Sequence, residues 1–307
     1  MNWEIDIIKA LQNMSNAFFD ALFLNITKLG EEIAFIAVMV VILWCYDKRF
    51  GLLMGLNFLA ASFTVNILKN VIKRPRPFSS DAVTSIGART HGYSFPSGHT
   101  QSATSIYTTL GIHLGVRKKR YWFLALMLLV VVLVGLSRIY LGQHYLTDVL
   151  TGFFIGAIFS VLVYILFSIL KDKEEYWALI IIPIAIILML IFNSEEAHKD
   201  FFVAGGVSIS AAIGYFLEKR YIAYDVRQEL WWVQILKVIF GAAIALLIKE
   251  CFKPLFEIWG FGLYLGSFIR YFLVGIWCSF GAMAVFKYGI GAIKKSINNK
   301  KYKQEQP

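Results

Sequence analysis

Long apolar runs, repeated along the chain and broken by short charged stretches, restrict this sequence more than any other feature. Nine follow residue 30, at about 32–46, 50–71, 97–116, 121–136, 144–170, 176–192, 201–217, 231–247 and 263–286. A bilayer core needs about 20 apolar residues of helix to cross it. Backbone groups inside hydrocarbon must bond within their own segment, which favours helices. The expected fold class is therefore all-α, a polytopic transmembrane bundle of about nine spans. The first run is short for a bilayer and the fifth long enough to tilt or protrude. Residues 1–30 place Ile5, Ile8 and Leu11, then Phe18 and Leu22, at helical spacing. They read as an amphipathic helix lying on the membrane surface or packed against the bundle near the interface. Glu4, Asp6, Lys9, Asp20 and Lys28 interrupt this segment, so it does not read as a cleavable signal peptide. Composition agrees with a membrane chain: 58% of residues are hydrophobic and mean hydropathy is +0.63, against about 45–50% apolar in soluble domains.

Charge between the runs orients the chain. If nine spans alternate, Lys48-Arg49, residues 117–120, Lys219-Arg220, Lys294-Lys295 and Lys300-Lys301 share one side, and Glu195, Glu196 and Asp200 the other. The side rich in Lys and Arg is expected to be cytoplasmic. That makes the protein a multi-pass protein of the cell membrane with a cytoplasmic C-terminus. The net charge of +10 is absorbed by such segments and does not call for nucleic acid. Residues 73–97, 138–143 and the start of the fifth run then face outward. Lys73, Arg74, Arg76 and Arg138 lie on that side against the trend. Charges that break the topology rule are better explained by a site than by targeting. The expected divisions are an interfacial helix at 1–30, a core at 31–175 holding the polar motifs, further spans at 176–290 and a basic tail at 291–307.

The most chemically suggestive stretch is Tyr93-Ser94-Phe95-Pro96-Ser97-Gly98-His99, a turn that leads straight into an apolar run. A helix that starts there presents free backbone N–H groups and the positive end of its dipole to an anion. A Ser N-cap followed by Gly also begins many helices that bind nothing, so the neighbours decide. Lys69 falls in the last turn of the second span, where a lysine can equally snorkel to headgroups. Arg76 follows just outside it, in a Lys-Arg-Pro-Arg-Pro run that also reads as a stiff exit from the helix. Arg138 ends the fourth span. His144 and Asp148 are four apart at the start of the fifth, on one helix face. A carboxylate one turn from an imidazole can accept its N–H and leave the other nitrogen as nucleophile or base. Such a pair can also just satisfy itself inside a bundle, but ionisable groups within a membrane are functional hypotheses by default.

Taken together, Lys69, Arg76-Pro77, Pro96-Ser97-Gly98-His99, Ser137-Arg138, His144 and Asp148 resemble the three-part signature of the type-2 phosphatidic acid phosphatase superfamily. That superfamily includes membrane lipid phosphatases, glucose-6-phosphatases and vanadium haloperoxidases. Order, spacing and identity agree at each of these positions, and the likeness covers about residues 50–170. The resemblance implies that Lys69, Arg76, Arg138, Ser97 and the Gly98 N–H hold phosphate oxygens. It implies that His144 attacks phosphorus, Asp148 orients it, and His99 protonates the leaving oxygen. It implies no cofactor and no metal, the three cations doing a metal's work. The implied function is hydrolysis of a lipid phosphate at the extracytoplasmic face: undecaprenyl diphosphate, phosphatidate, phosphatidylglycerol phosphate or a sphingoid phosphate. The alternatives are a lipid phosphotransferase using the same site, a sugar-phosphate phosphatase, and last a non-catalytic transporter. The partners expected are the lipid substrate and the membrane, and oligomeric state is not legible.

Remaining polar residues take plainer readings. Cys45, Cys251 and Cys278 are too few and scattered for a disulfide framework or metal site and are assigned to packing. His91 reads as a solvated loop histidine, and His113 and His198 as structural or solvated. Asn57 and Asn66 suit helix–helix hydrogen bonds. Lys237 and Arg270 lie inside spans, so each needs a partner or access to water. Trp231-Trp232 reads as an interface anchor.

Overall fold

In the computed structural model, residues 2–170, 173–195 and 198–292 are described. The basic tail at 293–307 and Glu196 lie outside them. The described chain is helical and contains no strand. Its helices are α1 (Asn2–Gln12), α2 (Ala17–Thr27), α3 (Glu32–Val41), α4 (Lys48–Ile72), α5 (Gly98–Leu110), α6 (Tyr121–Tyr140) and α7 (Leu146–Leu170). They continue as α8 (Glu174–Ala178), α9 (Ile181–Ile191), α10 (Lys199–Leu217), α11 (Trp231–Ile258) and α12 (Leu263–Ile276). Wider π-helical turns extend α3 over Ile42–Tyr46 and α5 over Gly111–Val116.

Seven of these segments are long and apolar enough to cross a membrane. An eighth arises if Ala17–Gly30 and Glu32–Tyr46, bent by 52°, form one span. The expected count of nine is therefore approximate. The short first run becomes half of that bent pair. Helix α5 is not among the eight, because Ser, Thr, Gln and His make it too polar. Those side chains face protein rather than lipid: Thr100, Gln101, Ser102, Thr104, Ser105, Thr108 and Thr109 are all buried.

The chain divides into two compact units, residues 1–39 with 53–170, and residues 40–52 with 171–307. In the first, α5 packs against α6 and α7. The approach to α7 depends on small residues, as in other membrane helix pairs. A methyl group at Gly152 would lie 2.4 Å from the Ser97 carbonyl oxygen, and one at Gly156 would lie 2.9 Å from the Gln101 carbonyl. Deeper in the bundle Asn57 donates to the Ser105 carbonyl (3.1 Å), to Thr109 Oγ1 (2.9 Å) and to Ser160 Oγ (3.0 Å). The N-terminal segment forms two helices rather than one. Asn16 starts the second by accepting from the Phe18 and Phe19 N–H groups at 3.0 Å, as a short polar N-cap does. Of the two placements open for this amphipathic segment, α1 takes the packed one. Ile8 is fully buried among Val83, Ile139, Tyr145 and Val149.

In the second unit, charges that also mark topology are paired. Lys48 meets Glu218 at 2.7 Å, while Lys219 meets Glu174 at 2.9 Å and Glu175 at 2.6 Å. Lys237 is buried, donates to the Val226 carbonyl at 3.2 Å and lies over the Tyr224 and Phe286 rings. Arg270 is also buried, and its Nε has no acceptor among the described residues. His198 is structural: its Nδ1 accepts from the Ser194 and Glu195 N–H groups. Trp231 is exposed, as an interface anchor is.

Candidate active site

The site forms where the ends of α4, α5, α6 and α7 meet within the first unit. Backbone hydrogen bonds join its loops before any side chain is considered. The Ser97 N–H donates to the Asp148 carbonyl at 2.9 Å, the Ser94 N–H to the Arg74 carbonyl at 2.8 Å, and the His144 N–H to the Arg138 carbonyl at 3.2 Å. The three separated motifs are thus fixed to one another through their main chains.

Arg76 is buried and donates to three carbonyls: Nε to Gly92 (2.9 Å), Nη2 to His91 (2.8 Å) and Nη1 to Gln143 (3.1 Å). Its Nη1 also lies 3.1 Å from His144 Nε2. A guanidinium can only donate, so Nε2 must be the acceptor and carry the lone pair. The imidazole proton then sits on Nδ1, on the side of Asp148. The sequence spacing therefore gives the right tautomer, but by a different agent than expected. His144 Nδ1 is 3.5 Å from Asp148 Oδ2, a long contact. Stronger donors hold the carboxylate: Arg74 Nη1 at 2.6 Å on Oδ1, and on Oδ2 the Tyr145 N–H at 2.9 Å and the Ser94 hydroxyl.

The other expected residues converge on the same place. His99 stands in the first turn of α5, half-buried, and the charged and titrating groups that bear on it are Arg138, His144, Lys69 and Arg76. Lys69 ends α4, and a methyl group added at Gly98 would lie 3.7 Å from its Nζ. Arg138 is buried in the last turn of α6. Its Nη1 donates to Thr27 Oγ1 at 2.9 Å, and its Nε has no acceptor among the described residues. A buried guanidinium N–H of this kind is a ready donor to an anion. Ser97 is buried and its hydroxyl is already engaged. It accepts the Thr100 N–H as N-cap at 3.4 Å and lies 2.9 Å from Thr100 Oγ1. Asp148 and Arg74 lie together on the Nδ1 side of His144, Arg76 meets its Nε2, and Arg138, Lys69 and His99 are its charged and titrating neighbours.

Sequence reading passed over several residues that build this site. Arg74 was visible as a charge on the wrong side of the topology, and Ser94 stood inside the polar turn, but neither had a role. Gln143 is buried and ties the loops together, accepting from Thr90 Oγ1 at 2.6 Å and donating to Ser85 Oγ at 2.9 Å. Glu4 had served only as a charge interrupting the first helix. Among the described residues no three His, Cys, Asp or Glu side chains come together as metal ligands would. The His91 side chain is exposed, and only its carbonyl takes part.

Comparison with known proteins returns two matches, separated by residues 173–201. The model of the PAP2 superfamily matches residues 50–172, and that of the PAP2 superfamily phosphatase transmembrane extension matches residues 202–292. Phosphatidylglycerophosphatase B of Bacillus subtilis is 33% identical over 180 residues, 55% of this chain and 82% of that protein. Sphingosine-1-phosphate phosphatase 2 of Mus musculus is 28% identical, over 66% of this chain and 60% of its own length. The undecaprenyl-diphosphatase of Sulfolobus acidocaldarius is 27% identical, over 53% of this chain and 77% of its own.

Proposed function

The chain belongs to the PAP2 superfamily, whose matched relatives are named phosphatases, and from that premise we propose that it hydrolyses a lipid phosphate through a phosphohistidine on His144. The observation that carries this reading is the Arg76 N–H donated to His144 Nε2. It leaves the lone pair on the nitrogen that faces the cation cluster. An arriving phosphate oxygen takes over that N–H and frees the lone pair for phosphorus.

In the first step an Nε2–P bond forms and the P–O bond to the leaving group breaks. His99, which takes up a proton as the substrate's negative charge arrives among the cations, supplies the proton that the leaving oxygen needs. In the second step water adds to phosphorus, Nε2–P breaks, and His99 recovers a proton from the water. Lys69, Arg76, Arg138 and the Gly98 N–H carry the charge on the transferring group, work done mainly by positioning and electrostatics. Asp148 holds the Nδ1 side of the ring, whose proton it faces. The Ser97 hydroxyl serves the site by starting α5. Fixed cations can meet the charge that a metal meets elsewhere, so the proposed reaction uses none.

The lipid assignment rests on where the cluster stands. Lys69 and Arg138 each lie in the last turn of a helix long and apolar enough to span, so a headgroup could reach them while its chain stays in hydrocarbon. The extracytoplasmic face is supported by the basic segment at 117–120 between the opposite ends of α5 and α6. Substrates in reach are phosphatidylglycerol phosphate, phosphatidate, a sphingoid phosphate or undecaprenyl diphosphate. Phosphate release by purified protein across these lipids and sugar phosphates tests the reading. Turnover of at least one lipid, unchanged in EDTA, is expected. Loss in EDTA with recovery in Mg²⁺ would overturn the mechanism, and turnover of sugar phosphates alone would overturn the lipid assignment.

A further inference from the structure

Behind the nucleophile, the ionic assembly around Asp148 extends to two groups, Arg74 and Glu4, that the phosphate chemistry above does not use. Arg74 spans two carboxylates: Nη1 donates to Asp148 Oδ1 and Nη2 to Glu4 Oε2, each at 2.6 Å. Glu4 is buried on the first turn of α1, and its other oxygen accepts from Thr147 twice, from the N–H at 3.1 Å and from Oγ1 at 2.7 Å. Arg74 Nη1 also donates to Thr147 Oγ1 at 2.7 Å, and its Cζ lies over the Tyr145 ring, 3.9 Å from the centroid. Ile8, one turn beyond Glu4 on the same face of α1, is fully buried against Tyr145 and Val149. An amphipathic helix thus inserts one charged side chain into the base of the site.

We propose that Glu4 is a positioning residue for His144, acting through Arg74 and Asp148. The inference rests on the phosphohistidine reading above. Alone, Arg74 would cancel the charge of Asp148, and the carboxylate would do little for the positive imidazole that forms as phosphorus is attacked. With Glu4 present the assembly of two carboxylates and one guanidinium keeps a net charge of −1. Arg74 then fixes Asp148 without neutralising it. The groups facing the ring from the other side are Arg76, Arg138, Lys69 and His99, so one retained negative charge is what balances a nitrogen becoming cationic. Glu4 matters most when His144 carries the phosphoryl group and least when phosphate merely rests against the cations.

Vanadate separates those two states, because it adopts the five-coordinate geometry of transfer on the histidine, whereas orthophosphate stays tetrahedral. Calorimetric titration of the full chain with each anion reads the difference without turnover. Glu4→Gln keeps the shape of Glu4 and removes its charge, but its single carbonyl oxygen can accept from Thr147 or from Arg74, not from both. The expected result is vanadate binding weakened about tenfold and kcat lowered by a similar factor, with orthophosphate binding and KM within about twofold. Glu4→Asp recovers part of both losses. Equal weakening of vanadate and orthophosphate would reduce Glu4 to a structural prop, and unchanged vanadate binding would remove it from the mechanism; either result overturns the proposal. If the wild-type chain hydrolyses no phosphate ester, the functional reading fails, while the ratio of the two anion affinities still decides the role of Glu4.

Discussion

His144→Ala stops turnover: phosphate release falls by at least about 10⁴-fold, the scale seen when a nucleophile is removed from an otherwise intact site. The fold should survive, because the neighbouring loops are held by main-chain bonds from Ser97, Ser94 and His144 that do not involve the imidazole. His99→Ala behaves differently, and the contrast is the informative part. With p-nitrophenyl phosphate the leaving group needs no proton, so the first bond is still broken without His99. The variant should release about one equivalent of p-nitrophenol in a burst and then stall, because water attack on the phosphoenzyme lacks its base. Rapid-mixing absorbance measurements check both variants. A His144→Ala protein within tenfold of wild type, or a burst from it, contradicts the assignment.

The second large effect is at Arg76. Substituting lysine keeps the charge but loses the fork, and kcat should fall by about 10²-fold or more, the cost of losing a preorganised donor to developing charge. Four donated contacts explain why: Arg76 is held by the carbonyls of Gly92, His91 and Gln143, and from that frame reaches His144 Nε2. An ammonium can neither span those acceptors at once nor pin the lone pair of the imidazole. Arg76→Ala should lose more than Arg76→Lys, and lysine should recover only a small part of the difference. Steady-state kinetics on a detergent-solubilised lipid phosphate measures this. A lysine variant with wild-type kcat would leave Arg76 as a simple counter-charge.

The helical bundle was legible because lipid leaves the backbone few choices, so apolar runs report helices directly. The second run, read as 50–71, is α4 (Lys48–Ile72). Reading by apolar runs misjudged segments where the local chemistry differs. Run 176–192 holds as a segment able to span, but it is carried on two helices, α8 and α9, with Pro183, which has no N–H to donate, in the first turn of the second. Run 231–247 continues to Ile258 with Pro254 inside it, the apolar count having stopped at the charges of 249–253. Helix α5 fits poorly as a span by composition because its hydroxyls face α6 and α7 rather than lipid.

At the site, spacing along the chain pointed to His144 with Asp148 and to the N-cap at Ser97, but His144 stands in the turn before α7, which starts at Leu146, rather than on a helix face with Asp148. Contacts between segments remote in the chain were not legible. Glu4 and Arg74 are 70 residues apart, and no periodicity joins them. Nothing in the sequence around Gly152 and Gly156 marks the close approach of α5 that depends on them. Lys48 and Lys219 read as orientation charges, yet both are in ion pairs, so pairing hides inside what looked like a topology signal.

The central claim is that phosphorus passes through a nitrogen of one histidine. Quenching His99→Ala in alkali during its burst with ³²P-labelled p-nitrophenyl phosphate, followed by peptide mapping, tests it most directly. The account predicts a label that survives alkali, is lost in acid and maps to His144. Label on any other residue, or full hydrolysis by wild type with no labelled protein on the millisecond scale, would contradict it.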